Sequence, residues 1–582
     1  MKRTATALTF ALRLSLAAMI PVAVGASAAG CADENDPATW VKRLDDPAQR
    51  APAIKRLGQF YEDAMTKAGK KHDDPGVKKV LDAIVDPMAK TYIAGGLDEK
   101  TRKDLIKGLG DMRDARTSPA FTKAFAEFEL GKNDDDVKFA AEAVGAMAKE
   151  GTKFDQALID ALWSCFTKYK PSKTNSIQGT QALHDAILAV KDASYGPKAV
   201  EAISKPLTLD DSVSEKGTRK TNDQLEFWQT TSVQLISALK YKPAAKALVS
   251  VMMTKNKLGL ALIAQKALLA MGNDAVPLLS GALNGTDPEL AKQQLEWKPD
   301  NGFVPVMMSV LSYISTPAAR DAIYTAIPGL DTDANRAAAA QSLVWFPVDA
   351  TLLATYKGIY AKLPPIADKT DTGSERAQVL QVAGEFYDPA LLPWALSESS
   401  GAKGVNMLTA KVGALTSAIK LMQPEQKKAV ADALANLEGS GLSVQEKQAV
   451  SSNVRAVFTF ASETLDKCNK DTACYLGVLG EPIAPVPNAN WRAIKAAAMC
   501  GILGNDQTRG ELVAKLPKIK NPGARLATVV AINHLTPAGD AAVADTLEKI
   551  VREDTERKDA EALKGDDALV KVALMLRARA GK

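Results

Sequence analysis

From Pro37 onward, apolar residues recur at three- and four-residue spacing in segments of about 10–18 residues. Gly, Pro, Asp and Asn break these segments, and no stretch alternates with the period of two that a half-buried strand requires. The spacing predicts an all-α chain. Val137, Ala140, Ala141, Val144 and Ala148, for example, form one stripe on a helix that begins at Asp134-Asp-Asp136. At 582 residues the chain is too long for one core that simply grows, so the helices must belong to several domains or to a repeating array.

Internal similarity favours the array. Ala264 to Leu283 reads as the end of one helix pair, a Gly-Asn-Asp turn, and the opening helix of the next, with Pro277 in its first turn, where a missing N–H costs little. Asp45-x4-Arg50, Asp331-x4-Arg336 and Asp371-x4-Arg376 repeat one phrase, each followed by alanine, and the last two lie 40 residues apart. Self-similarity at that period marks a helical solenoid.

These phrases resemble the HEAT family: a first helix, a turn containing Asp, and a second helix opening with Arg and small apolar residues. The match is best at 37–62, 264–295, 316–345 and 350–384. The tetratricopeptide phrase W-x2-L-G-x2-Y is absent. The resemblance implies an armadillo-like, right-handed α-solenoid. Roughly 546 residues from Pro37, at a period near 39, make about 14 helix pairs. Stacked at ~10 Å per pair they would follow a curved path on the order of 130 Å.

Three stretches interrupt the pattern: a charged insertion at 207–223, residues 363–376 opening on Leu-Pro-Pro, and the Pro-rich 480–490. Each is expected to be a loop at which the array could hinge. The resulting division is 37–206, 224–479 and 491–582.

Residues 1–30 read as an export signal. A basic stretch to Arg13 precedes about 13 apolar residues, too few to span a bilayer, and small residues lead to Cys31. Ala28-Ala-Gly-Cys31 resembles the bacterial lipobox, in which the cysteine is acylated and becomes the new N-terminus, leaving 31–36 as a tether. Ala28 departs from the Leu preferred there, and Ala26-Ser-Ala28 fits ordinary cleavage as well. Ala32 after the cysteine leans towards the outer rather than the inner membrane, facing the periplasm or the cell surface. Removing the signal takes Lys2, Arg3 and Arg13, which leaves 70 basic against 68 acidic residues. A nearly neutral chain with 5% aromatics lacks the field and the stacking platforms that nucleic acids select, so no nucleic-acid partner is expected.

Five cysteines are odd for an exported protein, and acylation of Cys31 makes the remainder even. Cys468-Asn-Lys-Asp-Thr-Ala-Cys474 is a short polar bracket suited to a local disulfide, while Cys165 and Cys500 sit in apolar runs as small hydrophobes.

Chemistry is sparse. The three histidines precede Asp73, Asp185 and Leu535. The His-Glu pairs through which some HEAT proteins bind di-iron are absent. His72 reads as solvated, and His184 and His534 as structural. Asp134-Asp-Asp136 reads as helix capping, and Asp210-Asp211 lies among Lys and Arg. No nucleophile elbow, P-loop, dinucleotide or EF-hand pattern occurs, so no catalytic residue, metal or cofactor is expected. Leu225-Glu-Phe-Trp228 and Val344-Trp-Phe-Pro347 carry aromatic residues suited to core packing or to anchoring a partner; Trp228, beside the insertion, is the candidate contact. Two functions remain: a lipid-anchored envelope scaffold that binds a protein or peptide along its second helices, or an α/α-toroid enzyme, for example a carbohydrate-active one, with carboxylates on inner helices.

Overall fold

Short polar side chains start the helices. Asp36, Asp74, Asp98, Asp349, Asn505, Asn521 and Asp559 each accept a hydrogen bond from a backbone N–H of the turn that follows. Each such cap contributes about 1 kcal/mol of helix stability. The computed structural model describes residues 33–129, 131–169, 176–206, 215–254, 257–296, 303–364, 375–400, 405–439 and 441–581. Among them every regular element is helical, and the helices follow one another in antiparallel pairs as an α-solenoid. No helix among the described residues is long and apolar enough to cross a membrane.

The chain divides into two compact units, with the break between Cys165 and Phe166 and again between Ala186 and Ile187. In the first unit the second helices of successive pairs, Arg50–Lys67, Glu99–Met112 and Asp134–Lys149, pack side by side. The expected stripe is its core: Val137, Ala140, Ala141 and Val144 are all fully buried. The break in packing falls ahead of the composition break at 207–223. That insertion is not wholly a loop, because residues 215–223 belong to the helix Glu215–Leu239, while 207–214 lie outside the described residues. Glu215, Lys216, Arg219 and Lys220 are good helix formers, so the apolar helix extends backward through them at little cost. Likewise 375–376 open the helix Glu375–Val382, and 365–374, with Asp371, lie outside the described residues. Residues 480–490 are irregular, as expected.

The arginine of the repeated phrase ties each turn together. Arg50 donates to the carbonyl of Leu44 at 2.7 Å, Arg336 to Leu330 at 2.9 Å, and Arg376 to Leu363 at 2.8 Å. A guanidinium near the end of the preceding helix satisfies carbonyls that have no partner within it. Arg525 does the same without the phrase. It is fully buried, donates to Leu516 and Ile519 at 3.2 Å each, and pairs with Asp554 at 2.5 Å and Asp566 at 2.6 Å. Lys495, also fully buried, gives its ammonium to the carbonyls of Ile419 and Lys420, at 3.1 and 2.8 Å.

Small residues let successive elements of the second unit approach closely. A Cβ on Gly384 would meet Ser417 Cα at 3.0 Å, and one on Gly565 would meet Arg525 Cδ at 2.9 Å. The helices Phe303–Ile314, Asp333–Ser342, Glu375–Val382, Val405–Leu421, Trp491–Leu503, Pro522–His534 and Ala560–Arg579 neighbour one another in turn, and the last packs back on the first. The second unit therefore curls into a ring, and the open path expected from repeat counting does not apply to it.

Tyr387, in the left-handed region at φ 49°, reaches from the end of the Glu375–Val382 segment to the far helices. Its hydroxyl donates to Ala527 at 3.0 Å, and its ring lies on Gly501 and on His534, the latter at 6.2 Å between centroids. Burial holds the His534 imidazole below its usual 6.5, against the nearby Asp388 carboxylate, which pulls the other way. Below about pH 6.5 the unfolded imidazole takes up a proton that the buried one resists, so the stability present above that pH is lost on acidification. The expected result is that His534→Gln flattens the fall of melting temperature between about pH 7 and pH 5. Identical slopes in the two proteins would refute it.

Candidate functional site

The residues singled out in the sequence do not converge. Trp228 is half-buried, and its indole N–H donates to the carbonyl of Phe166 at 2.7 Å, beside the edge-to-face pair of Phe166 and Phe227. Gln229 next to it donates to the carbonyl of Lys205 at 2.8 Å. Cys31 lies outside the described residues. Cys468 and Cys474 stand at disulfide distance, with Cα atoms 5.3 Å apart, where the helix Ala456–Cys468 turns into Thr472–Leu479. Closing so short a loop contributes about 2.4 kcal/mol in the chain-entropy model. Mass spectrometry of unreduced peptides is expected to find the two linked; two free thiols would exclude the bond. Cys165 and Cys500 are buried and stand outside any disulfide.

A groove in the first unit does bring functional groups together. It runs between the C-terminal halves of Arg50–Lys67, Glu99–Met112 and Asp134–Lys149 and encloses about 840 Å³. Gly110 sets its depth, since a Cβ there would meet Ala143 Cβ at 3.3 Å and the Phe139 carbonyl at 3.4 Å. Gly58 leaves open space on the facing helix. Met65, Phe139 and Ala146 supply apolar surface, and Glu62, Lys107, Asp111 and Glu142 line it with charges of both signs.

At one end, Tyr61 donates its hydroxyl to the carbonyl of Asp111 at 2.9 Å and stands 3.2 Å from His72 Nδ1. With its proton committed to Asp111, the hydroxyl accepts from His72, which places an imidazole proton on Nδ1. His72 is thus placed by Tyr61 and is half-buried, where solvation alone was expected. Burial pushes the Tyr61 phenol up to about 12 and raises the Asp111 carboxyl.

A second cavity of about 500 Å³ opens near the N-terminal ends of Glu99–Met112 and Asp134–Lys149, beside Tyr92 and Lys123. Asp136 there is fully buried and accepts from Tyr92 Oη and Arg102 Nε, each at 2.7 Å. The three acids lie in the first turn of the helix, where the macrodipole favours them as expected, but they do not cap it. Asn133 is the N-cap, Asp134 accepts from Gly131, Asp135 pairs with Lys103, and burial raises the Asp136 carboxyl. Among the described residues, no group of three or more His, Cys, Asp or Glu is placed to hold a metal ion.

The groove combines apolar residues with charges of both signs. Its apolar floor and mixed rim suit an extended segment whose side chains enter the floor while its backbone meets the polar rim. Tyr61, Gly110 and Phe139 carried no signal on their own. They become neighbours only once the repeat register places corresponding turns of successive second helices side by side.

No protein-family profile matches the chain, and no curated protein matches it. Among solved structures it is similar to the crystal structure of SYS-1, at 13% identity over 86% of this chain and 99% of that one, with a TM-score of 0.29. It is also similar to Kap121p bound to Pho4p, at 11% identity over 91% of this chain, with a TM-score of 0.27; it spans 62% of the length of that protein.

Proposed function

We propose that the protein is a non-catalytic scaffold of the cell envelope, lipid-anchored through Cys31, which holds a protein or peptide in the groove of its first unit. The observation that carries this reading is the groove itself: about 840 Å³ across three successive second helices, with apolar floor residues between charges of both signs. Peptide display on the full mature chain should enrich extended sequences, and Phe139→Asp should weaken their binding about tenfold or more while far-UV circular dichroism is unchanged. Failure to enrich any sequence, or binding that survives Phe139→Asp, would remove the groove from the proposal.

Envelope anchorage rests on Ala28-Ala-Gly-Cys31 and on the absence of any acidic residue before it. Cys31→Ser should move the protein from the membrane to the soluble fraction, because one residue carries the attached chains. The outer membrane is the expected destination. Wild-type protein that is soluble and begins at Ala29 would exclude the anchor.

The closed ring of the second unit favours one other reading, an α/α-toroid enzyme. Tyr387 crosses inside that ring and packs on Gly501 and His534, which supports the scaffold reading over it. Glycan turnover abolished by substituting a single inner carboxylate would reverse the choice.

A further inference from the structure

We infer that the ring of the second unit is a clasp that opens and recloses along one seam, where the helix Ala560–Arg579 meets the helix Phe303–Ile314 and the Gly272–Ala275 turn. Most joints elsewhere round the ring are cross-linked by ion pairs, and the joint between the pairs that hold Asp333–Ser342 and Glu375–Val382 by the Tyr360 hydroxyl, which donates to the Glu398 carboxylate at 2.5 Å. Arg320 pairs with Asp349 at 2.7 Å, Lys427 with Asp466 at 2.5 Å, Arg492 with Glu463 at 2.6 Å, and Arg525 with Asp566 at 2.6 Å. At the seam the charges are satisfied on their own sides. Arg577 pairs with Glu548, 2.7 Å away in its own helix pair, and Lys242 pairs with Asp274 at 2.8 Å on the opposite lip.

What crosses the seam is weaker. The Lys571 ammonium lies 4.8 Å over the Tyr313 ring, and Ala578 meets Gly272. Between the lips a gap of about 630 Å³ remains, lined by Lys240, Leu269 and Met271 on one side and Leu574 and Arg577 on the other. Parting a joint such as Arg525–Asp566 would strand buried charges. Parting the seam strands none, since Lys571 only exchanges an aromatic face for water. Charge therefore locks the ring least firmly at this place, and opening is expected there.

Spin labels on Lys240→Cys and Leu574→Cys in the full chain read the distance across the seam; Cys165 and Cys500 are buried and do not compete for label. Two populations are expected, the longer separated from the shorter by about 10 Å or more. Lys571→Ala should raise the longer one about two- to fivefold, the range set by loss of one cation–π contact. A single short distance that Lys571→Ala leaves unchanged would overturn the proposal.

A second variant locks the clasp. A Cβ built on Gly272 stands 3.8 Å from Ala578 Cβ, which suits a disulfide. Oxidised Gly272→Cys/Ala578→Cys should slow amide exchange in Ala560–Arg579 about tenfold relative to the reduced form. Equal exchange in the two forms would also overturn the clasp. Should the positive φ of Gly272 prevent that variant from folding, the label pair decides alone.

Discussion

Replacing Arg525 with alanine lowers the stability of the second unit by about 3–5 kcal/mol, because Asp566 is left buried without its ion-pair partner and Asp554 keeps only Arg557 at 2.8 Å and Lys520 at 3.9 Å. Both carboxylates meet one guanidinium nitrogen at 2.5 and 2.6 Å, and the arginine also holds the ends of the preceding turn through Leu516 and Ile519. Burial already raises the Asp566 carboxyl against the pull of Arg525, so without the arginine that carboxyl takes up a proton more readily still. Urea denaturation followed by circular dichroism reads the loss directly. Arg525→Ala combined with Asp554→Asn and Asp566→Asn should recover part of it, since most of the penalty belongs to the stranded charges. A single variant within about 1 kcal/mol of wild type would mean that water reaches the cluster.

Tyr387→Ala is expected to cost about 3–5 kcal/mol, as the loss of a large, fully buried ring that bridges two distant helices. Gly501 is its complement: an added Cβ would strike Tyr387 at Cδ2 and stand 3.0 Å from Cε2. Gly501→Ala alone should therefore destabilise by about 1–3 kcal/mol through overpacking. In the Tyr387→Ala background the same substitution should cost far less, because the clash is gone. The double-mutant cycle measures this as a coupling of about 1 kcal/mol or more. Simple additivity of the two losses would show that the ring and the glycine do not touch in solution.

The difference between these two sites shows how far the sequence could be read. Asp45-x4-Arg50 and Asp331-x4-Arg336 announced their role by repetition, and the structure gives both arginines the same carbonyl to hold, six residues back. Arg525 plays that part too, yet its acids lie 29 and 41 residues further on. No local phrase marks it. Trp228 read from the sequence either as core or as a partner contact, and its bond to Phe166 could not be read before the pair was folded. The groove was anticipated only as a face, the second helices, and not as Tyr61, Gly110, Asp111 and Phe139.

Periodicity, polar caps and the repeated turn phrase determined by themselves that the chain is all helix and that its helices come in pairs. Those signals act within one or two turns of the backbone, where spacing in sequence is spacing in space. Curvature, the ring, and the pairing of Tyr387 with a carbonyl 140 residues away were decided only by the tertiary structure. Curvature accumulates from small differences in how closely successive inner helices approach, and no single repeat contains enough of it to predict where the array meets itself.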